Sequence, residues 1–216
     1  IDGKKALKAM ICLDEIRGRL AEVFSLKQYK IDHVVHGAVA SAAVYGALMG
    51  ATPEQIESAI GMTVAHYIPF RAIRAGAQLS DSKGASAAIS SEAAVLSMRR
   101  AMAGFVGPKD IFRNPEAIWR FFEPTSGVDA NPNLIDITLK NKQRWGPGDA
   151  PFNLVLSHSG EDFAVCGMHF KLGLYEHQSA GALQGLINLM MKNPDVVKHG
   201  IDGIQKIEIS AYEPAY

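Results

Sequence analysis

The 216-residue sequence lacks a surplus of either charge: Lys and Arg number 22, Asp and Glu 22, and the pI falls near 7.2. No global field draws a polyanion, so neither nucleic acid nor a membrane surface is expected as a partner, and charge recognition has to be local. Long apolar runs are missing too, since the longest reach a handful of residues against the roughly 20 that span a bilayer. Cysteine is scarce. Cys12 and Cys166 are far apart, and the single Cys-x-x-His pair, Cys166 with His169, has no second pair to complete a zinc site. Without a disulfide framework a reducing compartment is expected. Phosphate loops, GxGxxG, HExxH, GxSxG and CxxC are absent as well, which removes the best-signalled cofactor and nucleophile classes. What is present, 48% apolar residues, suffices for one or two ordinary soluble domains. The start at Ile1, without Met or a signal pattern, and the stop at Tyr216 just after an alternating run suggest a piece of a longer protein.

The first half is helical by period. Over Lys4 to Phe24 the apolar Leu7, Met10, Ile11, Ile16, Leu20, Val23 and Phe24 mostly recur at three- and four-residue spacing, as one buried helix face requires. His33 to Met49 is rich in Gly and Ala nearly all round, which predicts a central, closely packed helix. Thr52-Pro53-Glu54-Gln55 supplies an N-cap, a first-turn proline and a capping-box glutamine for a helix to about Met62. Lys83 to Ala103 gives another Ala/Ser-rich helix, closed by Gly104, and Asn114-Pro115-Glu116 opens a short one.

Composition then changes. Pro124 to Asp149 is rich in Gly, Pro and Asn, and reads as a linker or long loop. Beyond it Phe152 to Ser157 and Phe163 to Phe170 look strand-like, His177 to Lys192 helical, and Ile204 to Ile209 alternates cleanly. The expected architecture is an all-α large domain followed by a smaller α+β lid domain: residues 1–123 helical, 124–151 linker, 152–216 lid.

Chemistry rests on a scattered polar set. Arg71 and Arg74, three apart in an apolar setting, and Lys83 near a helix start, where backbone N–H groups favour an anion, suit a substrate with two or three carboxylates. Two ordinary surface arginines are the competing reading. His33 and His36 head the small-residue helix, and a neutral imidazole there suits acid–base work near pH 7, against a histidine that only caps or packs. His177 and Gln178 open the helix of the second part, where they could hydrogen-bond a ligand or simply form a polar first turn.

Taken in order, Ala9-Met10-Ile11, Glu15-Ile16, Gly18, Asp32-His33-Val34, Gly50 with Pro53-Glu54-Gln55-Ile56, Ala59, then Arg71, Arg74, Lys83, Gly104 to Pro108, Phe170-Lys171, Gln178-Ser179-Ala180 and Ile204 to Ala211 resemble the MmgE/PrpD family. That family includes 2-methylcitrate dehydratase, cis-aconitate decarboxylase and iminodisuccinate epimerase. The resemblance implies a helical domain and an α+β lid, a homodimer, and a cleft between domains that acts on small di- or tricarboxylates without metal or nucleotide cofactor. It implies His33 and Lys83 as catalytic, Arg71 and Arg74 as a carboxylate clamp, and His177 or Gln178 as the lid's contribution. Three departures accompany it: the family's upstream acid and histidine segment is absent, Leu174-Tyr175-Glu176-His177 lacks the lid proline, and Gly84-Ala85-Ser86 follows Lys83 where the dehydratase branch carries an aromatic. The expected activity is a hydro-lyase on a 2-methylcitrate-like tricarboxylate. A decarboxylase or epimerase of the same family is the alternative, and a catalytically inactive helical subunit the alternative of another class. The expected location is the cytoplasm, or the mitochondrial matrix in a eukaryote.

Overall fold

The computed structural model describes residues 1–23, 26, 30–74, 81–112, 154–171, 173, 175–198 and 200–210. It divides into two compact units, Ile1–Met168 and His169–Tyr216. The expected linker, and the short helix expected at Asn114, lie outside the described residues.

Four helices build the first unit: α1 (Gly3–Val23), α2 (Val34–Met49), α3 (Pro53–His66) and α4 (Asp81–Met102). α2 is the central one and packs against the other three, while α3 also packs on α4. Small residues make this possible. A Cβ at Gly46 would lie 2.3 Å from Met98 Sδ, so the place of the buried Met98 side chain between α2 and α4 depends on a residue without a Cβ at position 46. Leu20, Ile31, Val35, Val39 and Val64 form one end of the core, and Ala42, Ala59, Met62, Ala94 and Met98 the other. The capping box at Thr52 and Gln55 is present as expected, Gln55 N–H donating to Thr52 Oγ1 at 3.3 Å and Thr52 N–H to Gln55 Oε1 at 2.9 Å. α4 ends as expected at Gly104, whose φ of +92° suits a residue without Cβ.

The loop after α4 lies directly on α3. A Cβ at Gly61 would sit 2.0 Å from the Pro108 carbonyl oxygen, and one at Gly107 would sit 2.3 Å from that of Ser58. Backbone meets backbone at both places, and neither side can rotate away. Gly61→Ala is expected to cost about 2 kcal/mol, lowering the melting temperature by roughly 4–8 °C. A thermal melt coinciding with wild type would show that this approach is looser than described.

The segment after residue 153 departs from expectation. Phe163 to Phe170 contains no strand; it holds a short helix, α5 (Ala164–Gly167), and Leu154 to Ser157 forms no strand either. The reason is Glu15. Its carboxylate, buried on α1, accepts the Ser157 N–H at 2.7 Å and the Ala164 N–H at 2.5 Å, so those amides are taken by a side chain instead of a ladder. Arg19 donates to the same carboxylate at 3.0 Å and to the Asp162 carbonyl. Burial raises the Glu15 pKa, but the two backbone donors and Arg19 outweigh it and hold the carboxyl below its ordinary value. Residues 154–168 therefore belong with α1, and the compact units part at Met168 and His169.

The second unit has a 3₁₀ turn at His177–Ser179, then α6 (Ala180–Lys192) and two further 3₁₀ turns, Pro194–Val197 and Gly200–Gly203. The helix matches expectation. The alternating run from Ile204 to Ile209 does not form a strand, because no described residue pairs its amides, and so the α+β expectation for this part is not met among the described residues. No helix of the described residues is long and apolar enough to cross a membrane.

Candidate active site

The site begins with two backbone hydrogen bonds. Lys30, in the left-handed region at φ +60°, turns the chain into a short antiparallel bridge between Ile31 and Phe70. Asp32 N–H donates to the Pro69 carbonyl at 2.9 Å, and Arg71 N–H to the Lys30 carbonyl at 2.7 Å. This pins the 3₁₀ turn Arg71–Arg74 beside the head of α2, and the turn also contacts α4. With three residues per turn, positions 71 and 74 fall in one register.

Asp32 stands at the centre. Its side chain is 0% exposed, and its Oδ2 accepts Lys83 Nζ at 2.8 Å from the first turn of α4. Oδ1 accepts the Val34 N–H at 3.3 Å and lies 3.5 Å from His33 Nδ1. Burial raises the Asp32 pKa, yet the hydrogen bond from Lys83, the charge of His33 and the Val34 amide outweigh it, so the carboxyl sits below its usual value. Lys83 is 15% exposed and His33 70% exposed in their side chains. A buried anion thus carries one nearly buried ammonium on one oxygen and faces one open imidazole with the other. Ser86 Oγ donates to the Lys83 carbonyl at 2.9 Å, tightening the first turn of α4. A Cβ at Gly84 would meet nothing within 4 Å, so the turn that carries Lys83 borders open space.

The family model for the MmgE/PrpD N-terminal domain matches residues 2–130, more than half of the chain. This chain belongs to the MmgE/PrpD family. Its helical part is the family's N-terminal domain, and the family contains enzymes. Of the residues expected from the sequence, the structure brings together His33 and Lys83, with Arg71 on the adjoining turn. Arg71 is half-buried there, and Arg74 lies on the same turn. His177 and Gln178 belong to the other unit, in its first 3₁₀ turn, with His177 exposed. Nearby, Lys171 Nζ donates to the Tyr175 carbonyl at 2.8 Å, closing the loop that leads to His177.

His36 parts from His33. It is buried among the core residues of α2, and burial, aided by the charge of His33, pushes its pKa down to about 4. This keeps it neutral near pH 7. His33 itself makes no side-chain cap for α2; the cap-like oxygen comes from Asp32. Asp32 is the residue that reasoning from residue types missed as a site member. Its signal in the sequence was its place immediately before His33 at the head of a small-residue helix, which says nothing about a lysine 51 positions on.

Proposed function

We propose that this MmgE/PrpD chain carries the cationic part of a lyase site that dehydrates a 2-methylcitrate-like tricarboxylate. The observation that carries the reading is the ammonium of Lys83, held by the buried Asp32 at 2.8 Å with His33 on the same carboxylate and the Arg71 turn pinned alongside. A polycarboxylate brings about three negative charges, and a guanidinium fork takes a carboxylate in two parallel hydrogen bonds. The proton next to a carboxylate is removable only if the developing enediolate is stabilised, and an ammonium held in place and 15% exposed does this without reorganising. One group takes the C–H proton, the electron pair forms the carbon–carbon double bond, and a second group protonates the departing hydroxyl, so that water leaves. His33, exposed and next to Lys83, fills one of these roles. Arg74 completes the clamp, and His177 or Gln178 adds a hydrogen bond to the bound substrate, as the resemblance implies. The same resemblance carries a homodimer as the working assembly.

Product analysis by NMR tests the reading. Full-length protein is expected to convert 2-methylcitrate to its dehydration product and to leave cis-aconitate and iminodisuccinate unchanged. Turnover of either of these instead would make the site that of a decarboxylase or an epimerase. Calorimetry that detects binding of none of the three would favour the inactive helical subunit and overturn the lyase reading.

A further inference from the structure

The exposed imidazole of His33 has two nitrogens, and the lyase reading leaves open which of them moves the proton. We infer that Asp32 is a positioning residue that fixes the tautomer of His33 with the hydrogen on Nδ1, so that Nε2 carries the lone pair and is the atom that exchanges protons with the substrate. The tautomer rests on the place of His33 beside Asp32, and its catalytic consequence rests on the lyase reading.

Oδ1 of Asp32 lies 3.5 Å from His33 Nδ1, and the carboxylate cannot turn away to avoid it. Its other oxygen is committed to Lys83 Nζ at 2.8 Å, Oδ1 also accepts the Val34 N–H at 3.3 Å, and its own main chain is tied to Pro69 at 2.9 Å. The ammonium and the amide both favour the ionised form. An ionised carboxylate only accepts hydrogen bonds, so it favours a hydrogen on the ring nitrogen nearest to it. A neutral imidazole has one donor and one acceptor nitrogen, and the lone pair therefore falls on Nε2. The same carboxylate thus orders two groups of the site at once: the ammonium that meets the developing charge and the imidazole that handles the proton. Its complete burial keeps it from touching substrate, which makes its action indirect.

Asparagine is the informative replacement. Its side chain has one acceptor oxygen and one donor NH₂ where aspartate has two acceptors. Turned with its oxygen toward Lys83, it gives up the bond from the Val34 N–H and presents NH₂ to His33 Nδ1, which favours the lone pair on Nδ1.

The experiment is a long-range ¹H–¹⁵N correlation spectrum of the full-length protein at a pH where the imidazole is neutral, with the His33 signals assigned by their loss in His33→Gln. In wild type, Nδ1 is expected to show the shift of a protonated ring nitrogen and Nε2 that of an unprotonated one. Asp32→Asn is expected to exchange the two shifts. It is also expected to lower kcat by on the order of 10²- to 10⁴-fold, with KM changed by less than about threefold because the carboxylate does not contact substrate. A wild-type spectrum with the proton on Nε2 overturns the assignment, as does an Asp32→Asn protein that keeps both tautomer and turnover. Should the variant fail to fold, the wild-type spectrum alone decides. A spectrum with Nδ1–H in a protein that binds no polycarboxylate would leave the Asp32 assignment standing and sink the lyase reading instead.

Discussion

Lys83→Ala in the full-length protein is expected to cut turnover of the tricarboxylate by roughly 10²- to 10³-fold, the scale on which one preorganised stabiliser of developing charge acts. It is also expected to destabilise the fold. Asp32 is 0% exposed, and removing its ammonium leaves a buried carboxylate with an amide donor and an imidazole where it had a full cation at 2.8 Å. Breaking a buried pair from one side costs about 3–5 kcal/mol, far more than the pair contributes when both partners are replaced together. The double variant Lys83→Ala with Asp32→Asn reads the stability effect by itself. Neutralising the orphaned carboxylate is expected to restore most of the stability, measured by urea unfolding, and none of the activity. A single variant with near wild-type turnover would remove Lys83 from the chemistry altogether.

The parts of this molecule that local sequence describes well are those held by local forces. α1 through α4 follow from apolar spacing and from the Thr52 capping box, because helix hydrogen bonds and caps close within four residues. The centrality of α2 followed from its Ala and Gly content, since only such a helix can be packed closely on three sides. Where sequence reading failed, a distant side chain had taken over. Phe163 to Phe170 looks like a strand by composition, yet Glu15, some 149 positions earlier, captures the Ala164 amide and starts a helical turn there. Asp32 escaped notice as a site residue for the same reason: a carboxylate becomes part of a site through its partner, and Lys83 lies on another helix. Arg71 reaches the site by a third non-local device, the bridge between Ile31 and Phe70, which no period or propensity announces. Residue types singled out His33 and Lys83, and long-range contacts brought them together on Asp32.

Acid is expected to weaken the fold well above the range where carboxylates titrate, and His36 is the reason. Its side chain is buried in α2, and burial, together with the nearby charge of His33, holds its folded pKa at about 4 against 6.5 for an ordinary histidine. The unfolded chain therefore binds the proton more readily than the folded one. Stability contributed by neutral His36 is complete above pH 6.5, declines as the pH falls from 6.5 toward 4, and is fully lost below the folded value. Each unit of difference is worth about 1.4 kcal/mol, so the whole window carries about 3 kcal/mol. Glu15 and Asp32 add later losses, since their depressed carboxyls withdraw stability only as the pH falls below their ordinary values of 4.5 and 3.8. His33, Lys83 and Asp32 are the charged groups at the same end of α2, and of these only His33 is well exposed. Urea unfolding at a series of pH values from 7 to 4.5 reads the effect as a falling midpoint. His36→Leu removes the titrating group while keeping an apolar side chain in the core, and is expected to flatten the profile over this window even if it lowers stability at pH 7. A wild-type midpoint that stays constant down to pH 4.5 would mean that His36 takes up a proton inside the fold, and with it the neutral, core-packed role assigned to this histidine would fall.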